Sequence, residues 1–207
     1  MEFLISIFYL LKMHNLKIWY KKLKRGSMLR MAIFAGYRLI VYLFNTTVNF
    51  LPHNGSRILL CKITGINIGK NVMICRDVVF LGLGNCSIGS GTIINSRCII
   101  DNRGSLCIGE NVSISMGSTI LTQGHDIDDE LFPVLSYETV IDDYACIFSN
   151  SIIYPGVKIG KGAVIFPGSV VIKNIQDLEV VGGNPIKLIR FRKTMPSYKL
   201  SRLNWFI

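Results

Sequence analysis

From residue 68 onward, an aliphatic or aromatic side chain returns at every sixth position: Ile68, Ile74, Phe80, Ile88, Ile94, Ile100, Ile108, Ile114 and Ile120. The pair Ile-Gly recurs at 68, 88 and 108, so each block of twenty holds three hexapeptides and two extra residues at one corner. The register resumes without insertions at Ile141, Ile147, Ile153, Ile159, Ile165 and Val171. Four residues after most of these anchors stands a small or β-branched side chain, among them Val72, Thr92, Cys98, Ser118, Ala145, Ser151, Ala163 and Ser169. A hexapeptide period predicts a parallel β-helix with three short strands per coil, here fifteen hexapeptides in five coils. Each anchor points into a triangular interior and stacks on its counterpart one coil away. An antiparallel sandwich would instead alternate with period two and close its hairpins with turn signals. Gly69, Gly89, Gly109 and Gly160 are expected at corners with φ above zero. One coil cannot bury its own anchors, so the stack needs caps. The helices before it and the run after Val181 are the expected ones.

The hydrophobic pattern changes at both ends. Residues 1–60 read as a helical, basic segment, residues 61–185 as the β-helix, and residues 186–207 as a basic tail with a short helix. Phe3–Leu11 is an apolar helical run followed by Lys12, Lys17, Lys21, Lys22, Lys24 and Arg25. It is a poor signal peptide, because the first charge is Glu2 and the basic residues follow the apolar run. Met31–Leu51 has the length to span a bilayer, but Arg38 interrupts it and Asn45, Thr46, Thr47 and Asn49 dilute it. Two readings of this segment stay open. It lies on an anionic membrane surface, with Trp19 and Tyr20 at the interface, or its helices pack on the body and on oligomer partners.

Composition narrows the class. Half of the 207 residues are hydrophobic and only 17% are charged, which excludes a disordered chain. The net charge of +10 is carried by the ends. Residues 1–40 hold eight Lys+Arg against one acid, residues 186–207 hold six against none, and residues 41–185 hold nine against twelve acids. A nucleic-acid reader places its basic residues on the folded body, so no nucleic acid is expected as partner. The six cysteines never form C-x-x-C, and a chain of this size does not need disulfides. Free thiols and a cytoplasmic location, at the inner face of the membrane if the N-terminus touches it, are expected.

The repeat of residues 66–193 resembles the left-handed β-helix hexapeptide-repeat acyltransferases. The resemblance implies the hand of the helix. Between Ile120 and Ile141 the register jumps by twenty-one residues and expels a loop, within residues 121–140, that contains Gly124-His125-Asp126-Ile127 and Phe132-Pro133. This loop is similar to the catalytic loop of the galactoside, maltose and polysaccharide O-acetyltransferases, with H-D-I followed by F-P closest to the capsule and lipopolysaccharide group. The resemblance makes His125 the general base: an alcohol is a weak nucleophile near neutral pH, and a neutral imidazole takes its proton as it attacks. It places Asn95, thirty residues earlier, at the family's active-site asparagine, where it would position the hydroxyl or steady the tetrahedral intermediate. Arg103, standing where the galactoside enzymes put a sugar-contacting acid, and Asp126, beside the histidine, are the expected substrate-binding residues. Cys146 replaces a tryptophan of those enzymes. Both replacements argue against simple galactosides as acceptors.

Tyr154–Lys173 and the G-N-P-I-K-L-I-R run at 183–190 are similar to the family stretches that bind coenzyme A. By that resemblance Ser149 and Pro167 line the pantetheine groove, Ile172 and Lys173 meet the nucleotide end, and Lys187 and Arg190 supply cations for its phosphates. The donor implied is acetyl-CoA. The related β-helical carbonic anhydrases need three histidines around zinc, whereas this chain has His14, His53 and His125 with one in the coils, so no metal is expected. The family packs three prisms side by side, which implies a homotrimer with active sites between subunits. Three readings follow: an O-acetyltransferase for a sugar hydroxyl of a bacterial surface polysaccharide or its precursor, an acetyltransferase for an antibiotic or nucleotide-linked amino sugar, and a catalytically silent scaffold.

Overall fold

The computed structural model describes residues 27–200; the apolar run at 3–11, the lysines that follow it, Trp19, Tyr20 and residues 201–207 lie outside the described residues. Helix α1 (Met28–Phe50) starts at the N-cap Ser27, whose hydroxyl accepts from the Arg30 amide, and stops just before Leu51-Pro52. Helix α2 (Asn54–Ile63) follows, capped by the His53 ring on the Gly55 amide. Both close the open end of the first coil. The Asn45 side chain donates to the Phe80 carbonyl and accepts from the Phe80 amide, at 2.8 Å each, in the way a further strand would. Asn54 does the same for Val72 and Ile74, and Asn49 donates to Val78. Two of the polar residues that dilute the apolar run, Asn45 and Asn49, are therefore docking groups, whereas the Thr46 and Thr47 hydroxyls bond to carbonyls of their own helix. With Phe44 and Val48 buried beside the two asparagines, this half of α1 lies on the solenoid.

Beyond α2 the chain winds as a parallel β-solenoid with three faces. The first face stacks Asn67–Ile68, Cys86–Ile88, Ser105–Ile108, Glu138–Ile141 and Lys158–Ile159. The second stacks Met73–Ile74, Ile93–Ile94, Ser113–Ile114, Cys146–Ile147 and Val164–Ile165, and the third stacks Val79–Phe80, Ile99–Ile100, Thr119–Ile120, Ile152–Ile153 and Val170–Val171. Anchor pairs with anchor throughout: Ile88 opposite Ile108, Ile114 opposite Ile147, Ile120 opposite Ile153. All fifteen anchors are buried, none more than 5% exposed. At roughly 1.5–3 kcal/mol for each fully buried branched side chain, this column dominates the stability of the fold. The small residues four positions on are buried too, and their hydroxyls bond to turn carbonyls, as Ser151 and Ser169 do to Phe166.

The corners differ from expectation. The glycines directly after the anchors do not have positive φ. The left-handed residues stand two positions later, at Asn71, Gly91, Asn111, Gly117, Gly156 and Gly162 among others. Gly69 and Gly160 are needed for a different reason, the close approach of the next coil: a Cβ would stand 2.7 Å from the Ser90 amide nitrogen in the first case and 2.6 Å from that of Asp177 in the second.

A sixth, partial turn continues through an Ile159–Ile175 bridge and the strand Glu179–Gly182 on the second face. The expected C-terminal helix is absent among the described residues. Lys187–Phe191 is instead a strand that turns back antiparallel on Glu179–Gly182, pairing its backbone where a helix would leave that edge open. Residues 192–200 then run without helix down the corner between the first and second faces. Arg192 donates to the Gly162 carbonyl, the Tyr198 hydroxyl lies 3.3 Å from Cys146 Sγ, and the Leu200 amide donates to Asn111. All six cysteines are free.

Candidate active site

The break in the repeat forms an arm. After Thr122 the chain leaves the third coil as the strand Gln123–His125, turns, and returns as Val134–Ser136, antiparallel and with His125 opposite Val134. The Gln123 amide side chain bonds to the Ser136 hydroxyl at 2.8 Å. The tip is pinned by the Asp126 amide to the Pro133 carbonyl and by the Asp128 amide to the Asp126 carboxylate. Asp126 thus gives one carboxylate oxygen to an Asx turn.

His125 is exposed and held from two sides. Its ring stacks on Phe132, with centroids 4.3 Å apart and planes 8° from parallel. Its Nδ1 lies 2.9 Å from the Phe132 carbonyl oxygen. A carbonyl only accepts, so Nδ1 carries a proton, and in the neutral ring Nε2 is the nitrogen with the lone pair. That is the tautomer a general base requires, with the ring orientation set by the other nitrogen. Phe132, in the left-handed region at φ 45°, supplies both contacts. Only the F-P spelling of the loop hinted at its part.

The other residues fall on three sites of the single chain. Asn95 follows the second-face strand Ile93–Ile94, donates its side-chain amide to the Ile114 carbonyl at 3.0 Å, and sits at the corner between the second and third faces. Ser149 and Pro167 occupy the same corner two and three coils higher, next to the edge-on pair Phe148–Phe166. Lys187 stands opposite Gly182, at the top of this edge. Ile172 and Lys173 follow Val170–Val171 and turn the other corner, between the third and first faces. The arm leaves from that corner too, with Gly124 near Pro155 and Tyr137 near Gly156. Arg190 lies further along the last strand and lines an open groove of about 720 Å³ with Arg192, Lys193 and Tyr198. One chain therefore brings Asn95, Ser149, Pro167 and Lys187 to one edge, and His125, Asp126, Arg103, Ile172 and Lys173 to another. Cys146 lies on the second face beneath Tyr198.

Arg103 is engaged already. Its guanidinium grips Asp101 with Nε at 2.8 Å and Nη2 at 3.0 Å. Burial works against the Asp101 charge, but the Arg103 hydrogen bonds and the Thr122 and Arg103 amides hold its carboxyl below the usual carboxylate range. Among the described residues no group of His, Cys, Asp and Glu is arranged to hold a metal ion.

No protein-family model matches the chain. It is 40% identical over 109 residues to a candidate acetyltransferase of Saccharomyces cerevisiae, covering 51% of this chain and 56% of that one. It is 32% identical over 126 residues to the galactoside O-acetyltransferase of Escherichia coli, covering 59% and 62%. It is 29% identical over 136 residues to a candidate colanic acid biosynthesis acetyltransferase of Escherichia coli, covering 66% and 75%. A solved galactoside acetyltransferase in complex with coenzyme A superposes with a TM-score of 0.69 at 28% identity, over 76% of this chain and 81% of that one. The coils and the arm define a hexapeptide-repeat solenoid protein. The chain is similar in sequence to acetyltransferases and shares the solenoid fold of the galactoside acetyltransferase. It spans about three fifths of the length of the first two relatives.

Proposed function

We propose that the protein transfers an acetyl group from acetyl-CoA to a sugar hydroxyl of a bacterial surface polysaccharide or its precursor, with His125 as general base. The observation that carries this reading is the His125–Phe132 hydrogen bond, which leaves Nε2 free to accept a proton. As the acceptor oxygen attacks the thioester carbonyl, Nε2 takes the hydroxyl proton. The tetrahedral intermediate then collapses, the C–S bond breaks, and the imidazolium returns the proton to the departing thiolate. Asn95 would orient the hydroxyl or the intermediate, and Asp126 and Arg103 would flank the acceptor. The polysaccharide acceptor is favoured by the H-D-I arm and by likeness to a relative named for colanic acid biosynthesis. The test is purified protein with acetyl-CoA and a panel of surface glycans and antibiotics, followed by thiol release. Turnover only with an antibiotic would overturn the acceptor class.

Donor binding is assigned to Ser149, Pro167, Ile172, Lys173, Lys187 and Arg190, which lie on two edges and the upper end. That distribution suits a cofactor lying between two neighbouring prisms of a homotrimer. Neutralising Lys173, Lys187 or Arg190 should raise KM for acetyl-CoA more than it lowers kcat, since phosphate contacts far from the thioester bind ground and transition states alike. Steady-state kinetics showing kcat loss alone would remove these residues from the donor site.

The N-terminal segment is assigned to an anionic membrane surface, which would hold the enzyme at the cytoplasmic face beside a lipid-linked acceptor. Helix α1 is long and apolar enough to cross a bilayer and is mostly uncovered, with Met28, Phe34, Tyr42 and Phe50 exposed. Eight cations against one acid in residues 1–40 would attract acidic lipid. The protein should cosediment with phosphatidylglycerol vesicles and far less with phosphatidylcholine vesicles; equal binding to both, or to neither, contradicts this assignment.

A further inference from the structure

We propose that Asp101, clamped by Arg103, is the positioning residue that fixes the direction of the arm carrying His125. The proposal rests on the reading of His125 as the base. Among the described residues Asp101 is the one fully buried carboxylate, at 0% exposure. The corner column it belongs to is otherwise apolar, with Leu81, Leu121 and Tyr154 at the equivalent places one coil away or more. A buried carboxylate survives there only if its lone pairs are taken up. Oδ1 accepts from the Arg103 amide at 3.1 Å and from Arg103 Nε. Oδ2 accepts from Arg103 Nη2 and, on its other side, from the Thr122 amide at 3.1 Å and the Gln123 amide at 3.2 Å.

Those two amides are where the chain departs from the coil. Thr122 is the last coil residue, Gln123 opens the strand Gln123–His125, and His125 is two residues further on. At the root the Thr122 carbonyl accepts from the Tyr137 amide of the returning strand, but the Thr122 and Gln123 amides lie off that ladder and need another acceptor. Asp101 supplies one oxygen to both and ties that oxygen, through Arg103, to the coil below. A role in coil stacking alone would be met by an amide, and the adjacent residue shows this: Asn102 accepts from the Gly82 amide and donates to the Gly84 carbonyl, linking its coil to the one beneath. At residue 101 every partner is a donor. Only a carboxylate accepts from all of them.

The test compares Asp101→Asn and Arg103→Gln with wild type, using acetyl-CoA and the acceptor turned over best in the glycan panel. Asp101→Asn keeps the shape but turns an NH₂ toward either the arm amides or Arg103. It should lower kcat about 10- to 100-fold, the cost of an ångström-scale misplacement of a reacting group, with KM for acetyl-CoA within about twofold. In protein labelled with ¹⁵N-histidine, the ring-nitrogen signal of His125, assigned by its loss in His125→Ala, should shift in Asp101→Asn. Arg103→Gln, at an exposed position, should lower kcat several-fold and shift the same signal. A folded Asp101→Asn with wild-type kcat and an unchanged signal overturns the proposal. Should Asp101→Asn fail to fold, Arg103→Gln with unchanged kcat and signal overturns it. Full activity of His125→Ala would sink the base assignment separately, and a displaced signal in Asp101→Asn would still sustain the positioning role.

Discussion

His125→Ala should lower acetyl transfer about 10²- to 10⁴-fold, the usual contribution of a positioned proton acceptor, while acetyl-CoA binds within a few-fold of wild type. The size follows from chemistry: a sugar hydroxyl is almost fully protonated near neutral pH, and its attack on a thioester stalls unless the proton leaves in the same step. The selectivity follows from geometry, because His125 stands on the arm while Ser149, Pro167 and Lys187 stand on a different edge of the prism. Removing the ring takes away nothing assigned to the donor on that edge. His125→Gln is the sharper companion, since its amide can mimic the shape of the ring without accepting a proton in the useful range. Single-turnover rates with saturating acetyl-CoA are the measurement. Wild-type turnover in either variant would remove His125 from the base role.

The anchors were readable from sequence because a hexapeptide repeat puts each of them at one place in a triangle, and all fifteen are buried. The break between Ile120 and Ile141 was readable for the same reason: a residue count that does not fit the period must leave the coil. The corners were misjudged. Glycine can serve a positive φ or a close approach, and spacing alone does not separate them; Gly69 and Gly160 serve the second. Asp101 was not legible, since its partners Thr122 and Gln123 lie 21 and 22 residues away and become neighbours only when coils stack. The grip of Arg103 on that carboxylate was not legible either, since nothing in the sequence pairs it with a residue two positions back. The tail at 192–200 was equally opaque: a basic, weakly periodic run invites a helix, but its contacts to Cys146 and Asn111 are 52 and 89 residues distant. Local pattern carries the repeat, whereas the site is assembled from contacts made across coils.

Two inactive variants, His125→Ala and Asn95→Ala, should restore activity when co-expressed with different tags and purified as mixed trimers. Asn95 and His125 belong to different corners of the prism, and the residues from Asn95 to Asp101 run the width of the third face between them, up to roughly 20 Å at the rise of a strand. Two groups that act on one hydroxyl must meet within hydrogen-bond reach. A closed three-fold assembly meets this requirement by setting the arm of one prism against the Asn95 edge of the next, which also brings Lys173 of one chain toward Ser149 and Lys187 of another. In a purified mixed trimer a working site needs the arm from an Asn95→Ala chain and the opposite edge from a His125→Ala chain, and in a two-to-one ring of either composition about one interface in three regains both groups. A site built within one chain regains none, because every chain lacks one of the two. Light scattering fixes the number of subunits, and the recovered fraction of wild-type kcat decides between the arrangements. Recovery near a third establishes the shared site, whereas a trimer that stays inactive, or an active monomer, rules it out.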